Sequence, residues 1–365
     1  MIWVIAFLIL VALILKDYSL KHVLDKVTYL SRADNQVVEP GEEFSVTTTL
    51  HNNKWLPVTY IKISELIPSA LNVIGQDVDK FYTFSENGRM ISTTYLMPYQ
   101  RYTRSYKASI DSRGRYFLHG ATLYGGDLFG IGETVEHATL MEEIVVLPKA
   151  ISSGKLDAVL GGFLGDFSVN RFIMEDPILT IGFRDYTGRE PMKDINWPQS
   201  LKANKLMVKN FDHTTDLSVT VILNVECSED GKEIQSARQE AAFSVARYVC
   251  EYLENKRIKY SFTTNATAAG AIGKWNTITE GLGRRHLYTI IEGLGRATYD
   301  STMRFGNILE KAAFQSENGR AHIVITPDML PCWEAPLKKL RVSCDGHLTV
   351  IRAADFITET KEDAE

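Results

Sequence analysis

The sequence predicts a fold class with three successive parts: an N-terminal membrane helix, an antiparallel β-sandwich and a doubly wound α/β domain. Residues 1–15 carry no charged side chain, as expected of a helix that enters a membrane. From about residue 27 to 150, short alternating runs are separated by Pro, Gly and Asn, a pattern typical of sandwiches. From Leu217 onward, apolar strands alternate with helical stretches, which indicates a largely parallel sheet.

The composition is that of a globular protein and argues against two classes of function. With 365 residues the chain has room for two domains and a terminal segment. The net charge of −5 gives no reason to expect a nucleic acid as the partner, because nucleic-acid-binding proteins present a basic face. The four cysteines form no Cys-x-x-Cys pair, so neither a zinc cluster nor a disulfide framework is expected.

Residues 1–18 are interpreted as a membrane anchor. As a helix, the uncharged run would span roughly 22 Å, which is short of a hydrocarbon core of about 30 Å. Lys16 can extend its ammonium group to the membrane surface and Tyr18 suits the interface, so the span can still be completed. A cleaved signal peptide would need a basic start and a small-x-small site, which the sequence lacks. A buried helix would need apolar partners on every side.

Basic residues predict the orientation of the anchor. Lys16, Lys21, Lys26 and Arg32 follow it, whereas only the amino terminus precedes it. Because positive residues stay on the cytoplasmic side of a membrane helix, the rest of the chain is expected in the cytoplasm. The protein is therefore predicted to be a single-pass membrane protein.

The β-sandwich is predicted over residues 27–150, as a spacing and docking module. Residues 52–57 are interpreted as a hairpin loop anchored by Trp55. In the stretch Gly126–Gly130, Asp127 is expected to hydrogen-bond backbone groups two residues on, with Phe129 as an apolar plug. The alternation predicts strands at Val37–Leu50, Val58–Ser64, Met90–Tyr95, Tyr102–Ile110, Tyr116–Tyr124 and Ile144–Leu147.

Residues 151–216 are predicted to form a connector and a hairpin. Residues 151–183 are rich in glycine and show no clear periodicity, so they are expected to be a long surface loop. In the hairpin, Gly188 permits a sharp turn. Asn196 is expected to cap a short helix that begins at Trp197, because its side-chain oxygen can accept a free backbone N–H. A short strand should follow at Leu206–Phe211.

An α/β domain is predicted over residues 217–354, followed by an acidic tail at 355–365. In Leu217–Asn224, Leu217, Val219, Val221 and Leu223 alternate with Ser218, Thr220 and Ile222, and Val225 extends an apolar run typical of a buried central strand. A long helix is expected at Glu233–Asn255 because apolar residues recur at helical spacing. The remaining elements are strands at Ile258–Thr263, His322–Thr326 and Leu348–Arg352, and helices near Arg284–Ala297, Thr302–Phe314 and Trp333–Leu340.

The stretch Arg184–Phe211 closely resembles the signature of the family called domain of unknown function 58. It has the Arg-Asp-Tyr, the glycine turn, the Ile-Asn-Trp and the strand ending in Phe, although Leu201-Lys202 stands where the family has Ala-Arg. The likeness extends over about residues 37–352. The hairpin is expected to wedge two domains together through Tyr186 and Trp197, in preference to a catalytic role. The signature residues are Arg184, Asp185, Tyr186, Asp194, Trp197 and Ser200.

The resemblance implies that the second domain is similar to the von Willebrand factor A domain, whose metal site begins Asp-x-Ser-x-Ser after the first strand. On that pattern the chain offers Asn224, Glu226 and Ser228, with Thr302 and Asp328 as later members. Such sheets collect ligands at the carboxyl ends of their strands. Mg²⁺ prefers several oxygens, with one or two carboxylates. Because Asn224 removes a carboxylate, the metal site is expected to be degenerate and no cofactor is predicted.

These observations predict a non-enzymatic, membrane-anchored scaffold or adaptor that binds another protein through its A-like domain. No Gly-x-Ser-x-Gly elbow or other paired nucleophile and base is present. The resemblance implies a MoxR-type AAA+ ATPase as the partner, with a transglutaminase-like membrane protein nearby. Two alternatives stay open: a metal-dependent ligand receptor, and a hydrolase using an acid such as Glu226 or Asp185.

Overall fold

The computed structural model describes residues 2–75, 82–85, 88–171, 180–188, 190–211, 218–270, 275–315 and 320–356. The chain divides into two compact units. The first comprises Met1–Lys149 with Ile291–Arg296, and the second comprises Ala150–Ile290 with Ala297–Glu365. An N-terminal apolar helix, a β-rich unit and an α/β unit are present, as the sequence predicts. The first residue of the predicted strand at 217 and residues 357–365 of the predicted tail lie outside the described residues.

The first helix, α1, spans Ile2–His22. Within the described part of the chain, its segment Trp3–His22 is the one helix long and apolar enough to cross a membrane. Its most apolar window is 6% buried, so α1 is not a core helix. The same length and composition are found in signal sequences. The helix continues four residues beyond the predicted anchor, because Ser19 and the following residues pack on the β-rich unit.

The β-rich unit contains ten strands among its described residues: β1 Val27–Ala33, β2 Val37–Val38, β3 Phe44–Asn52, β4 Val58–Leu66, β5 Asn72–Ile74, β6 Tyr82–Ser85, β7 Arg89–Leu96, β8 Arg101–Ser109, β9 Gly114–Gly126 and β10 Glu133–Val146. One sheet has the order β1-β3-β8-β5, and the other has the order β2-β10-β9-β4-β7-β6. Among these residues, every pairing is antiparallel except that of β2 with β10. The strands predicted from alternation are present, with Val37–Leu50 divided into β2 and β3, while β1, β5, β6 and residues 133–143 of β10 were not predicted.

The two sheets share a hydrophobic core. In β3, buried and half-buried residues alternate along the whole strand, because successive side chains point to opposite faces. Val46 and Tyr106 come from one sheet and Met90, Leu118 and Ile144 from the other, and all five belong to one buried cluster. This shared core supports the sandwich arrangement of the first unit.

Two loops of the first unit differ from their predicted packing. Asp127 accepts hydrogen bonds from the backbone N–H groups of Phe129 (3.0 Å) and Ile131 (2.9 Å), as predicted. Phe129, however, is 51% exposed and plugs nothing. Trp55 is likewise exposed, whereas Asn52, Lys54 and Leu56 of its loop are buried. The Lys54 ammonium donates to the carbonyls of Val23 (2.7 Å) and Asp25 (2.8 Å), just beyond the end of α1.

From residue 150 onward, the described chain contains six further helices and nine further strands. The helices are α2 Gly154–Arg171, α3 Trp197–Ala203, α4 Ser236–Asn255, α5 Arg284–Arg296, α6 Phe305–Gln315 and α7 Glu334–Ser343. The strands are β11 Thr180–Asp185, β12 Met207–Phe211, β13 Ser218–Leu223, β14 Lys259–Thr264, β15 Ala266–Ala268, β16 Thr277–Gly281, β17 Ala297–Ser301, β18 Ala321–Thr326 and β19 Leu348–Arg352. Short 3-10 helices lie at Met192–Asp194, Pro331–Trp333 and Ala353–Phe356.

The central sheet of the second unit has the order β16-β14-β13-β18-β19. Its pairings are parallel, except that the edge strand β16 runs antiparallel to β14. The chain order reverses between β13 and β18, as in a doubly wound sheet. One face packs Ile222 and Val324 against Phe305 and Ile308 of α6 and Leu337 of α7. The prediction of a largely parallel α/β sheet is confirmed.

The prediction of a loop over residues 151–183 is wrong for residues 154–171, which form the helix α2. Residues 172–179 of the predicted loop lie outside the described residues. Leu156, Leu160, Leu164 and Phe167 recur at helical spacing and all four are buried. The glycines between them obscured this stripe in the sequence. The hydroxyl of Tyr248, on α4, donates to the Asp157 carboxylate at 2.5 Å. α2 therefore packs within the second unit and is not a surface connector.

Candidate functional site

The candidate site lies at the carboxyl ends of β13 and β18, where the strand order reverses. Doubly wound sheets bind their ligands in the crevice outside this point. The loop after β13 carries Asn224, Glu226 and Ser228, and the loop after β18 carries Asp328. Both loops begin with buried residues and become exposed within a few positions.

Asn224 is the centre of a buried hydrogen-bond network. Its Oδ1 accepts from the Glu226 N–H (3.0 Å) and from Nδ2 of Asn265 (2.9 Å). Its Nδ2 donates to Oγ1 of Thr326 (3.0 Å) and to the Glu226 carbonyl (3.3 Å). Oδ1 of Asn265 in turn accepts from the Val225 N–H at 2.9 Å. Both polar atoms of the Asn224 amide are thus fully used by the protein.

Sequence reasoning missed Asn265 and Thr326, which join three strand ends into this network. Both are buried, and they stand at the ends of β14 and β18. The position of Asn265, directly after the strand next to β13, was a signal that could have found it. Its role could not be predicted, because it depends on the pairing of β13 with β14.

Glu226 is 4% exposed and is held by the start of α6. Its Oε2 accepts from the backbone N–H of Phe305 (3.1 Å), and its Oε1 accepts from the Ser301 hydroxyl (3.3 Å). A carboxylate at a helix N-terminus is stabilised by the unpaired N–H groups and the helix dipole. Nη1 of Arg304 lies 3.9 Å from Oε1. Both carboxylate oxygens of Glu226 are therefore engaged by groups of the same chain.

The loop at 228–231 closes over the Arg304 side chain. Ser228 donates to the Asp230 carboxylate (2.6 Å) and accepts from the Glu233 N–H (3.2 Å). The Ser228 hydroxyl and the Lys232 backbone hold the pKa of Asp230 below its usual value. Gly231 has a φ of +66°, and a Cβ there would lie 2.3 Å from Nη1 of Arg304. Only glycine therefore fits this loop without displacing the guanidinium.

The remaining predicted members are also engaged in contacts within the chain. Oγ1 of Thr302 donates to the Asn265 carbonyl (3.1 Å), so Thr302 joins the network through Asn265. The Asp328 carboxylate binds Nη1 of Arg238 (2.7 Å) and lies 3.7 Å from Nη1 of Arg352. Its backbone carbonyl accepts from Oγ1 of Thr326 at 2.7 Å. The site brings Asn224, Thr302 and Asp328 together only through these intermediates.

This arrangement does not fit a bound Mg²⁺. A hard cation needs several free oxygens and a carboxylate, whereas Asn224 aims an N–H donor at Thr326 and Glu226 faces Arg304. In the described part of the chain, no group of three His, Cys, Asp or Glu residues is placed to hold a metal ion. Asn224, Glu226 and Asp328 instead form a rigid surface at the strand ends, here named the strand-end face, whose polar groups are hydrogen-bonded or ion-paired within the chain.

The signature hairpin is built from local contacts in the second unit. β11 pairs with β12, and Asn196 caps α3 by accepting from the Gln199 N–H at 3.1 Å, as predicted. Ser200 is buried, and its hydroxyl accepts from the Met207 N–H at 2.8 Å. Asp194 lies at the end of a 3-10 helix, and the N–H of Tyr186 donates to the Leu206 carbonyl at 2.9 Å.

The two charged signature residues form ion pairs inside the hairpin. Arg184 binds Glu190 at 2.6 Å and Asp185 binds Lys205 at 2.7 Å. The hydroxyl and backbone N–H of Thr187, together with Arg184, hold the pKa of Glu190 at about 2. These contacts fix the turn at Gly188, whose φ of +89° suits only glycine.

Trp197 is not buried, contrary to the expected wedge. Its side chain is 56% exposed, and Met192 and Leu201 of the same hairpin are more exposed still. We name Met192, Trp197 and Leu201 the hairpin patch. Trp197 and Leu201 are four residues apart on α3 and so lie on one face of the helix. Exposed apolar groups that lie together are more typical of a binding surface than of an ordinary protein surface.

A cavity of about 330 Å³ lies between α6 and the central sheet. Ile222, Thr220 and Ser261 line it from the sheet, and Ile308 lines it from α6. His322 also lines it, is 2% exposed, and has no hydrogen-bond partner for Nδ1 among the described residues. Burial is the main reason that the pKa of His322 falls to about 4.

Because buried His322 is neutral in the folded protein, the free energy of unfolding is expected to depend on pH. An unfolded histidine binds a proton near pH 6.5, whereas folded His322 binds one only near pH 4. The free energy of unfolding should therefore fall as the pH drops from 6.5 towards 4, by about 2 kcal/mol at pH 4.5. Urea unfolding followed by fluorescence should show this loss in the wild type and not in His322→Gln. Equal losses in the two proteins would contradict it.

No family model matches the chain. The chain is similar to the Bacillus subtilis (strain 168) protein named "Uncharacterized protein YeaD", with 20% identity over 229 residues, covering 59% of this chain and 52% of that protein. This chain thus spans about half the length of that relative.

Two solved structures are each similar to about a third of the chain. Alpha-2-macroglobulin from Salmonella aligns with a TM-score of 0.26 and 14% identity, over 33% of this chain and 9% of that one. A non-cellulosomal cohesin from Archaeoglobus fulgidus aligns with a TM-score of 0.25 and 15% identity, over 37% of this chain and 97% of that one. At these TM-scores the similarities carry no conclusion about fold or function.

Proposed function

We propose that this chain is a membrane-anchored, non-enzymatic scaffold whose second unit, similar to a von Willebrand factor A domain, binds another protein. The observation that supports this most is the strand-end face, where Asn224, Glu226 and Asp328 are all held by partners within the chain. Such a face is rigid and does not leave a carboxylate pair for chemistry. A rigid, preorganised surface suits protein binding, because little conformational entropy is lost on association.

The binding surface of the proposal is the rim of that face together with the hairpin patch. The rim carries Glu229, Asp230, Ile234, Arg304 and Met329, all exposed. In this proposal the rim takes the place of the Glu226 and Asp328 carboxylates, which the sequence suggested as members of the site. Mixed charges and apolar groups of this kind give specificity and apolar contact at one site.

The proposed partner is a MoxR-type AAA+ ATPase, and a transglutaminase-like membrane protein is the second candidate. Both rest on the resemblance of Arg184–Phe211 to the domain of unknown function 58 signature. The proposal is tested by co-purification of the full-length protein from its native membrane in detergent, with and without ATP. Recovery of an AAA+ ATPase would support it, and repeated recovery without any ATPase would contradict it.

The two alternatives are less well supported by the geometry. A metal-dependent receptor would need free oxygens, which Asn224 and Glu226 do not offer. A hydrolase would need an acid near a nucleophile, whereas Asp185 is paired with Lys205 and Glu226 is buried at the start of α6. The scaffold is therefore preferred.

Both units are proposed to lie in the cytoplasm, held by α1. The reason is the excess of basic residues directly after the uncharged run. Protease added to intact cells should leave the two units uncut, and digestion there would overturn this orientation.

A further inference from the structure

The last turn of α1 and the two residues that follow the helix pack into the β-rich unit. Ser19, Val23 and Leu24 are buried, and the last two share a hydrophobic cluster with Leu50 and Leu123. The Lys54 ammonium holds the backbone carbonyls of Val23 and Asp25. The helix therefore enters the first unit without a flexible linker, so a membrane around α1 has a fixed position relative to the strands.

One loop of the first unit lies against the last turns of α1. This loop, Asp127–Gly132, is here named the α1-facing loop. The N–H of Leu128 donates to the Ser19 hydroxyl at 3.2 Å. A Cβ on Gly132 would lie 3.1 Å from Cδ2 of Leu20, which shows how close the loop approaches the helix.

The loop is rigid and displays apolar side chains. The Asp127 carboxylate accepts from the N–H groups of Phe129, Ile131 and Gly132 at 3.0, 2.9 and 3.2 Å. Although burial alone would raise it, these backbone donors hold the pKa of Asp127 below its usual value. Phe129 is 51% exposed and Ile131 is 72% exposed. The polar groups of the loop are thus satisfied internally while its apolar groups face outward.

The height of the loop along α1 matches the membrane interface. The uncharged run ends at Leu15, and Ser19 and Leu20 follow about 6–8 Å further along a helix that rises 1.5 Å per residue. The headgroup layer on each side of a bilayer is about 5–8 Å thick. If the uncharged run lies in the hydrocarbon, the α1-facing loop lies at the level of the headgroups.

We propose that the α1-facing loop contacts lipid, with Phe129 and Ile131 inserted at the boundary between headgroups and acyl chains. This rests on the membrane anchoring in the proposed function. Lipid is favoured as the occupant because the loop lies against Ser19 and Leu20 of α1, a few residues after the uncharged run. The apolar side chains of the loop also extend the uncharged run of α1, which is by itself shorter than the hydrocarbon core is thick. The exposed Lys21 adds attraction to anionic lipids.

The test uses the full-length protein in vesicles of phosphatidylcholine and phosphatidylglycerol. Cys332, the exposed one of the four free cysteines, is first replaced by Ser. A fluorescent label is then placed at Ile131→Cys or, as a matched control, at Met141→Cys. Met141 is also exposed and lies eight residues along β10 from Glu133, roughly 25 Å away. Flotation measures anchoring, and quenching by lipids brominated on the acyl chain measures insertion.

We expect the protein to float with the vesicles and the label at residue 131 to lose roughly half of its fluorescence, as for a group buried in the interface. The label at residue 141 should keep its fluorescence. Flotation without quenching at residue 131 would overturn lipid contact and leave the anchor intact. Failure to float would overturn both the anchor and the loop proposal. A thermal melt in detergent confirms that both labelled variants are folded.

Discussion

Replacing Asn224 by aspartate is expected to destabilise the second unit by about 3 kcal/mol, because the new carboxylate would be buried among acceptors. The Nδ2 of Asn224 now donates to Thr326 Oγ1 and to the Glu226 carbonyl. The Thr326 hydrogen is committed to the Asp328 carbonyl, so neither neighbour can donate to an aspartate oxygen. The substitution introduces the carboxylate that the resemblance implies at this position, and yet it should harm this protein.

The effect is measured as a thermal melt of the full-length protein in detergent with EDTA. For a unit of this size, the expected loss corresponds to roughly 10 °C in Tm. Asn307→Asp is the matched control, since Asn307 is exposed on α6 and the same charge should be tolerated there. An Asn224→Asp protein that melts like wild type only when Mg²⁺ is added would show that the site can still hold the ion.

Replacing Trp197 by alanine is expected to weaken partner binding by roughly thirtyfold, or about 2 kcal/mol, the effect of losing an aromatic anchor from an interface. The melt should shift little, because substitutions of exposed residues usually change stability by about 0.5 kcal/mol or less. The reason is the exposure of Trp197 in the hairpin patch. If Trp197 were buried, as expected from the sequence, Trp197→Ala would instead lower the melting temperature and change partner binding little.

The matched control is Trp55→Ala, which removes an equally exposed indole from the first unit. It should leave both the melt and the affinity for the ATPase unchanged. A Trp197→Ala protein that melts several degrees earlier but binds normally would make Trp197 a structural residue.

Local periodicity was enough to predict most of the fold. The alternation in β3 and the apolar run of β13 identify these strands without any tertiary information. Helix α2 was not predicted because glycines interrupt the apolar stripe of Leu156, Leu160 and Leu164, although all three residues are buried. The edge strand β16 was also not predicted, because it has only five residues and most of them are exposed.

The candidate site was predictable in position but not in its contacts. The sequence placed Asn224 and Asp328 at neighbouring strand ends, which follows from the order of elements. It could not show that Glu226 turns inward to Phe305, or that Arg238 pairs with Asp328, because these partners are distant in the chain. Side-chain pairing of this kind depends on tertiary packing that no local pattern encodes.

The affinity of the full-length protein for a purified, nucleotide-free MoxR-type ATPase, with EDTA and then with Mg²⁺, tests the central claim most directly. Without nucleotide, chelation acts on this chain and not on ATP-bound magnesium. We expect the Kd to be unchanged by EDTA. Salt should raise the Kd, because exposed charges such as those of Glu229 and Arg304 are screened within about 8–10 Å. An affinity that collapses with EDTA and returns with Mg²⁺ would contradict a metal-free binding face.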